Sequence, residues 1–430
     1  MTLLDIIALL LGLSAIFGYV NHHVLKLPHT IGLVVIALFA SGSVVMIEYL
    51  RPDWRVGEVM RGLLAGIDFH RALMEGFLSG LLFAGAVHVD LAEVARRKWA
   101  IALMATLGVI TSTILVGIAM WALARIIGVA LPFAWALVFG ALISPTDPVA
   151  VLTVLKRVRV PPLLQAKIAG ESLFNDGVGV VVFTILVALA LGGEAGGGHP
   201  LGLIDVTWLF VSEALGGIML GLAFGGLAFV MMRSLDEYTL EVMITLALVT
   251  ATYATAIHIH VSGPIAVVVA GLLIGNHGAR LAMSDVTRQH VFDFWELADE
   301  VLNSILFLLI GLEVIVIAVS IGSAWLALAA IPVVLLARLM SVALPIGLLR
   351  FRERFTDGAI GILTWGGLRG GISVALALSL PQTPYKAPIL AATYGVVVFS
   401  IIVQGLTMEG VVRRSLKGYR GDEPVEGEEG

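Results

Sequence analysis

The sequence predicts an all-α polytopic membrane protein with thirteen transmembrane helices. Three observations carry that prediction. The chain is 59% hydrophobic and only 13% charged, with a mean hydropathy of +1.01, whereas soluble domains are about 25% charged and about 45–50% apolar. Polar breaks recur along it at intervals that leave runs of about 20 apolar residues, the length a helix needs to cross a bilayer. Basic residues fall on alternate sides of those runs, as the positive-inside rule requires.

The elements follow in order. The first apolar run, 3–21, has no basic n-region and no small-residue cleavage site, so Leu3 to Val20 reads as a retained helix rather than a signal peptide. Lys26 closes it and Leu27-Pro28 opens the second span, 29–47. Residues 48–70 mix acids, bases and short apolar stretches, and read either as an interfacial helix or as an extended loop. The third span, 71–88, precedes the cluster Arg96, Arg97 and Lys98, beyond which lies the fourth, 99–124. The fifth, 131–155, carries prolines at its middle and stops at Lys156, Arg157 and Arg159. The sixth, 164–191, leads into a flexible, extracellular Gly-rich connection at 192–198. The seventh, 203–232, ends at Arg233, and the eighth and ninth, 239–258 and 263–279, precede Arg280 and Arg288. The last four cover 302–320, 323–349, 356–380 and 388–411. Residues 413–430 read as an acidic, disordered cytoplasmic tail. Of 26 Lys and Arg, 17 follow odd-numbered spans and 6 adjoin the opposite ends, which puts the C-terminus in the cytoplasm and the N-terminus outside.

Several function classes drop out at this level. With no Cys there is no disulfide or thiolate metal site. No G-x-x-x-x-G-K-[ST] loop occurs, so nothing supports ATP drive, and no nucleophile–base or H-E-x-x-H constellation marks an enzyme. His258 and His260 form an H-x-H at a span end with no further ligand nearby, which fits a wetted helix terminus. No cofactor and no nucleic-acid partner is expected.

Two segments break their helices at membrane depth: Ser144-Pro145-Thr146-Asp147-Pro148 in the fifth span and Trp365-Gly366-Gly367-Leu368-Arg369-Gly370-Gly371 in the twelfth. They lie seven spans apart, and an odd offset gives the two halves opposite orientations, as in an inverted repeat. Matching discontinuous helices are the best sequence pointer to a transporter's binding site, because freed backbone groups and half-helix ends face ions there.

Ionisable residues near the middle of the spans are few: Asp147, Glu171, Asp176, Arg338 and Arg369, with Glu213 and Glu313 less central and given no role. Facing lipid, each would cost at least about 2.5 kcal/mol, so each needs a partner or an aqueous cavity. Ser172, Asn175 and Asp176 stand at i, i+3 and i+4 and share one helical face. Their hydroxyl, amide and carboxylate oxygens suit a hard monovalent cation, and carbonyls freed by Pro145 and Pro148 near Thr146 add more. Asp176 has no cationic partner on its own helix, and burial penalises a bare carboxylate, so proton and cation compete there. Glu171 reads as the structural partner of Arg338. Asp147 either organises the crossing or binds the ion, and Arg369 neutralises Asp147 or the carbonyl ends of the twelfth helix.

The ordered motifs Leu27-Pro28, Ser144 to Pro148, Gly170-Glu171-Ser172-Leu173-Phe174-Asn175-Asp176-Gly177, Phe307 to Leu312 and Trp365 to Gly370 resemble the NhaP/NHE branch of the sodium–proton antiporters. That branch is the monovalent cation:proton antiporter-1 family, and the likeness covers all but the tail. It implies a homodimer in the inner membrane, in which residues 1–412 form one unit. Dimerisation helices would flank a mobile core of helices 4–6 and 11–13 that works by elevator-like alternating access. It also implies that Asp176 takes the cation or proton, helped by Thr146, Ser172, Asn175 and Asp147, and that an Asn-Asp pair marks one-for-one electroneutral exchange. There is one departure: many bacterial members carry a glutamate in the third helix where this chain has Ala84. The leading expectation is exchange of Na⁺ or Li⁺ for H⁺. K⁺ exchange on the same scaffold is the nearest rival. From other classes come a pH-gated cation channel and an organic-anion carrier, the latter opposed by the acidic balance of the proposed cavity.

Overall fold

The computed structural model describes residues 2–54, 62, 76–96, 98–148, 151, 162–192, 203–314, 321–349 and 358–415. Within them the protein is helical, with no strand and one isolated antiparallel bridge, Asp147 to Leu368. The helices are α1 (Leu3–Val20), α2 (His29–Leu50), α3 (Leu78–Val87), α4 (Lys98–Ile127), α5 (Phe133–Ile143), α6 (Pro162–Ala190) and α7 (Leu203–Arg233). They continue with α8 (Tyr238–His258), α9 (Gly263–Leu273), α10 (Asp285–Glu313), α11 (Ile321–Leu349), α12 (Ala359–Trp365), α13 (Gly371–Leu378) and α14 (Lys386–Phe399). Wide π-helical turns extend α9 through Ile274–Gly278 and α14 through Ser400–Gln404, and a further helical stretch carries the chain on to Ser415.

Nine of the described helical runs are long and apolar enough to cross a membrane. The four expected spans outside that set each have a physical reason. The third and fifth appear as short apolar helices, Leu78–Val87 and Phe133–Ile143; the twelfth is split between α12 and α13. The tenth is amphipathic over its first half: α10 starts at Asp285, well before the expected 302. A capping box starts it, with Thr287 N–H donating to Ser284 Oγ at 3.3 Å and Ser284 N–H donating to Thr287 Oγ1 at 3.1 Å. An apolar-run reading cannot see that half, because Asp293, Glu296 and Glu300 interrupt it. At the C-terminus the helix runs three residues into the expected tail. The start of the third span, Lys156, Arg157 and Arg159, most of the 192–198 connection, most of 55–70, Arg350 to Arg354 and residues 416–430 lie outside the described residues.

Large apolar side chains cover the outer surface, among them Phe39, Tyr49, Ile126 and Trp208, each more than two-thirds exposed. In water such a surface would aggregate; in hydrocarbon it is the solvated face. Inside, α6 packs against both α4 and α5, while α11 lies along α4 and α14. That arrangement holds the two helix breaks together. α5 stops at Ile143 because Pro145 lacks the N–H that would continue the ladder and crowds the preceding turn. α12 stops at Trp365 because Gly366 and Gly367 are the poorest non-proline helix formers. The two extended stretches then cross, and the Asp147 N–H donates to the Leu368 carbonyl at 2.8 Å.

Candidate ion-binding site at the crossed helices

The residues singled out on α6 all turn inward: Glu171 is 2% exposed, Ser172 3%, Asn175 1% and Asp176 6%. They meet the fifth-span break at Thr146. The Thr146 N–H donates to Asn175 Oδ1 at 3.3 Å, the Asn175 Nδ2 donates to Thr146 Oγ1 at 2.7 Å, and the Thr146 and Ser172 hydroxyls lie 3.1 Å apart. An amide matches both the donor and the acceptor of one threonine, so this contact fixes α6 against the break. Beside it, Asp176 Oδ1 is buried with no hydrogen-bond partner among the described residues. A bare carboxylate oxygen in such a place needs a proton or a cation.

The remaining charges brace the site. Arg338 on α11 holds Glu171 bidentately, Nη1 to Oε1 at 2.5 Å and Nη2 to Oε2 at 2.9 Å, and its Nε donates to the Leu363 carbonyl at 3.3 Å. Gly367 is required here, because a Cβ at that position would meet the Arg338 guanidinium. Arg369, 2% exposed, donates through Nη1 to the Ser144 carbonyl and to the Pro145 carbonyl at 2.9 Å. The sequence expectation gave Arg369 either Asp147 or the carbonyl ends of the twelfth helix; the carbonyls it caps are those of the opposite break. The Ser144 and Pro145 carbonyls beside Thr146 thus each accept a guanidinium N–H. Asp147 bonds the crossing through its backbone, and its carboxylate lies against Gly370, where a Cβ would collide with it. That places a negative charge at the N-terminus of α13, where the helix dipole favours it.

Asp147, Glu171 and Arg369 all lie within electrostatic reach of Asp176. Three acids against the guanidiniums of Arg338 and Arg369 leave one negative charge at the crossing. Ala84 on α3 is buried in the apolar cluster that also contains Leu173, and contributes no ligand. Sequence reasoning missed Ser112 and Thr113 of α4. Ser144 Oγ lies 2.9 Å from Ser112 Oγ and 3.4 Å from Thr113 Oγ1, and donates to the Gly140 carbonyl at 2.6 Å. The signal was there: three consecutive hydroxyl residues, Thr111-Ser112-Thr113, inside a 30-residue apolar helix. His258 is exposed and bonds the Ala254 carbonyl of its own helix, and no cluster of three or more metal-ligating side chains occurs among the described residues.

Residues 11–414 match the transmembrane region of the sodium/hydrogen exchangers. The chain belongs to that family. The family is one of transporters, not enzymes. This exchanger is 47% identical to the Na⁺/H⁺ antiporter NhaP of Pseudomonas aeruginosa over the full length of both chains. It is 34% identical to the Na⁺/H⁺ antiporter NhaH of Halobacillus dabanensis, over 91% of this chain and 92% of that one. In three dimensions it superposes on the sodium–proton antiporter MjNhaP1 of Methanocaldococcus jannaschii with a TM-score of 0.70, covering 97% of this chain and 99% of the other at 19% identity. The exchanger thus has the antiporter fold.

Proposed function

We propose that this exchanger swaps one Na⁺, or Li⁺, for one H⁺ at Asp176. One observation carries the reading: Asp176 Oδ1 is buried with no hydrogen-bond partner among the described residues, on the α6 face whose Ser172 and Asn175 hold Thr146. The names of the relatives, both Na⁺/H⁺ antiporters, support the choice of ions. With Glu171 tied to Arg338, and Asp147 and Arg369 opposed in charge, Asp176 is the group left to be neutralised. A proton does so covalently and a sodium ion does so with help from Ser172 and Thr146. If only the neutralised site can cross, because a bare charge facing hydrocarbon is costly, inward movement of one species forces outward movement of the other. One carboxylate holding one unit charge on each crossing gives an electroneutral one-for-one cycle.

In this reading the core built on the fourth to sixth and the eleventh to thirteenth spans, 323–349, 356–380 and 388–411, shifts as a body against the remaining helices. The protein works as a homodimer in the inner membrane, with its C-terminus in the cytoplasm. Everted vesicles carrying a pH dye test the function: added Na⁺ should evoke proton movement in the parent chain and none in Asp176→Asn. A silent parent chain or an active Asp176→Asn refutes it. Adding Li⁺, K⁺ and Rb⁺ in turn decides between the sodium and potassium readings, and bilayer currents above carrier turnover would favour a channel instead.

A further inference from the structure

Ser400 and Gln404 of the last helical run bond backbone groups at the two ends of the break between α12 and α13, and Thr407 holds the Trp365 side chain at its near edge. The Arg369 N–H donates to Ser400 Oγ at 2.9 Å, Gln404 Nε2 donates to the Trp365 carbonyl at 2.9 Å, and the Trp365 indole N–H donates to Thr407 Oγ1 at 2.9 Å. The Ser400 hydroxyl donates in turn to Gln404 Oε1 at 2.6 Å, joining the two into one unit. Ser400 and Gln404 are buried and bound the π-helical turn Ser400–Gln404, a wide and rare turn that appears mostly where a helix is bent to a task. Backbone groups at both ends of the break, the Trp365 carbonyl and the Arg369 N–H, are thereby satisfied at membrane depth, where an unpaired group costs several kcal/mol. Between those two anchor points sits Leu368, whose carbonyl takes the Asp147 N–H, and next to it Arg369, whose guanidinium caps Ser144 and Pro145.

We infer that Ser400, Gln404 and Thr407 are positioning residues for ion exchange: they set the register of the twelfth-span break against the fifth-span break, and so the oxygens around Thr146. Ser400 acts through Arg369, and Gln404 and Thr407 through Trp365, at the two ends of the segment that carries Leu368. The inference rests on the exchange reading above. Its test compares the parent chain with Ser400→Ala, Ser400→Thr and Thr407→Val, the last at an exposed position that tolerates change. Three readouts are taken on purified protein: deuterium uptake over residues 365–371, the Na⁺ concentration giving half-maximal thermal stabilisation, and the apparent KM and pH profile of Na⁺-evoked proton movement in proteoliposomes. Ser400→Ala should speed deuterium uptake and raise both the Na⁺ midpoint and KM about tenfold, roughly the loss of one hydrogen bond to a buried group. Thr407→Val should move them about threefold in the same direction, and Ser400→Thr, which keeps the hydroxyl, should restore parent values. A purely structural role would lower the yield of folded protein and leave midpoint, KM and pH profile unmoved. That result overturns the inference, as does unchanged deuterium uptake in Ser400→Ala. A parent chain that binds Na⁺ but moves no proton sinks the exchange reading, while the Na⁺ midpoint and deuterium uptake still judge the positioning role.

Discussion

Removing either end of the Glu171–Arg338 pair should destabilise the protein far more than removing both. The two groups meet through two charge-assisted bonds, 2.5 and 2.9 Å long, with side-chain exposures of only 2% and 7%. Hydrogen bonds to charged groups contribute about 1.5–3 kcal/mol each, and stranding one buried charge costs about 3–5 kcal/mol. Glu171→Leu and Arg338→Leu should therefore each lose about 3–5 kcal/mol. The double replacement Glu171→Leu with Arg338→Leu should recover most of that, because an apolar pair of similar volume needs no compensating charge. Unfolding of the purified variants in detergent, followed by tryptophan fluorescence and arranged as a double-mutant cycle, measures the coupling. A coupling energy of about 3 kcal/mol fits the account. Single losses that simply add, with coupling under about 0.5 kcal/mol, would refute the view that this pair braces α6 against α11.

Three further predictions concern the crossing itself. Asn175→Ala leaves the buried Thr146 N–H without its acceptor and takes one of two partners from the Thr146 hydroxyl, worth about 1–3 kcal/mol, so the Na⁺ half-saturation of exchange should rise about ten- to a hundredfold; an unchanged value would remove Asn175 from the site. Gly370→Ala drives a methyl into the Asp147 carboxylate, and overpacking of about 1–3 kcal/mol should cut the maximal rate at least about tenfold. Gly410→Ala is its control, since a Cβ there meets nothing within 4 Å. Competition at one carboxylate also fixes a sign: as pH falls, protons occupy Asp176 and the apparent KM for Na⁺ rises, by up to about tenfold per pH unit. A KM independent of pH at the acidic end of the working range would show that the two ions do not share a site.

Most of this site was legible because its signals are local. Prolines at 145 and 148 and the glycine pairs around Leu368 announce helix breaks by their backbone chemistry, and the i, i+3, i+4 spacing of Ser172, Asn175 and Asp176 announces a shared face. What stayed hidden is long-range. Which carbonyls Arg369 reaches depends on how two breaks far apart in sequence cross, and no spacing rule encodes that. Ser400, Gln404 and Thr407 stand in an apolar span with no local signal of a role, because their partners lie more than thirty residues away. The first half of α10 was missed for a different reason. Hydropathy recognises lipid-facing surface, whereas that stretch earns its helix from a capping box and one buried face, Val291 and Trp295 among it.

The central claim is that one carboxylate binds either a proton or a cation. Calorimetric titration of the purified exchanger with Na⁺, in buffers of different ionisation enthalpy at the acidic end of its working range, counts the protons released per ion bound. The account predicts a release approaching one proton per Na⁺ in the parent chain, and neither Na⁺ binding nor proton release in Asp176→Asn. Sodium binding without proton release, or the same release from Asp176→Asn, would contradict it.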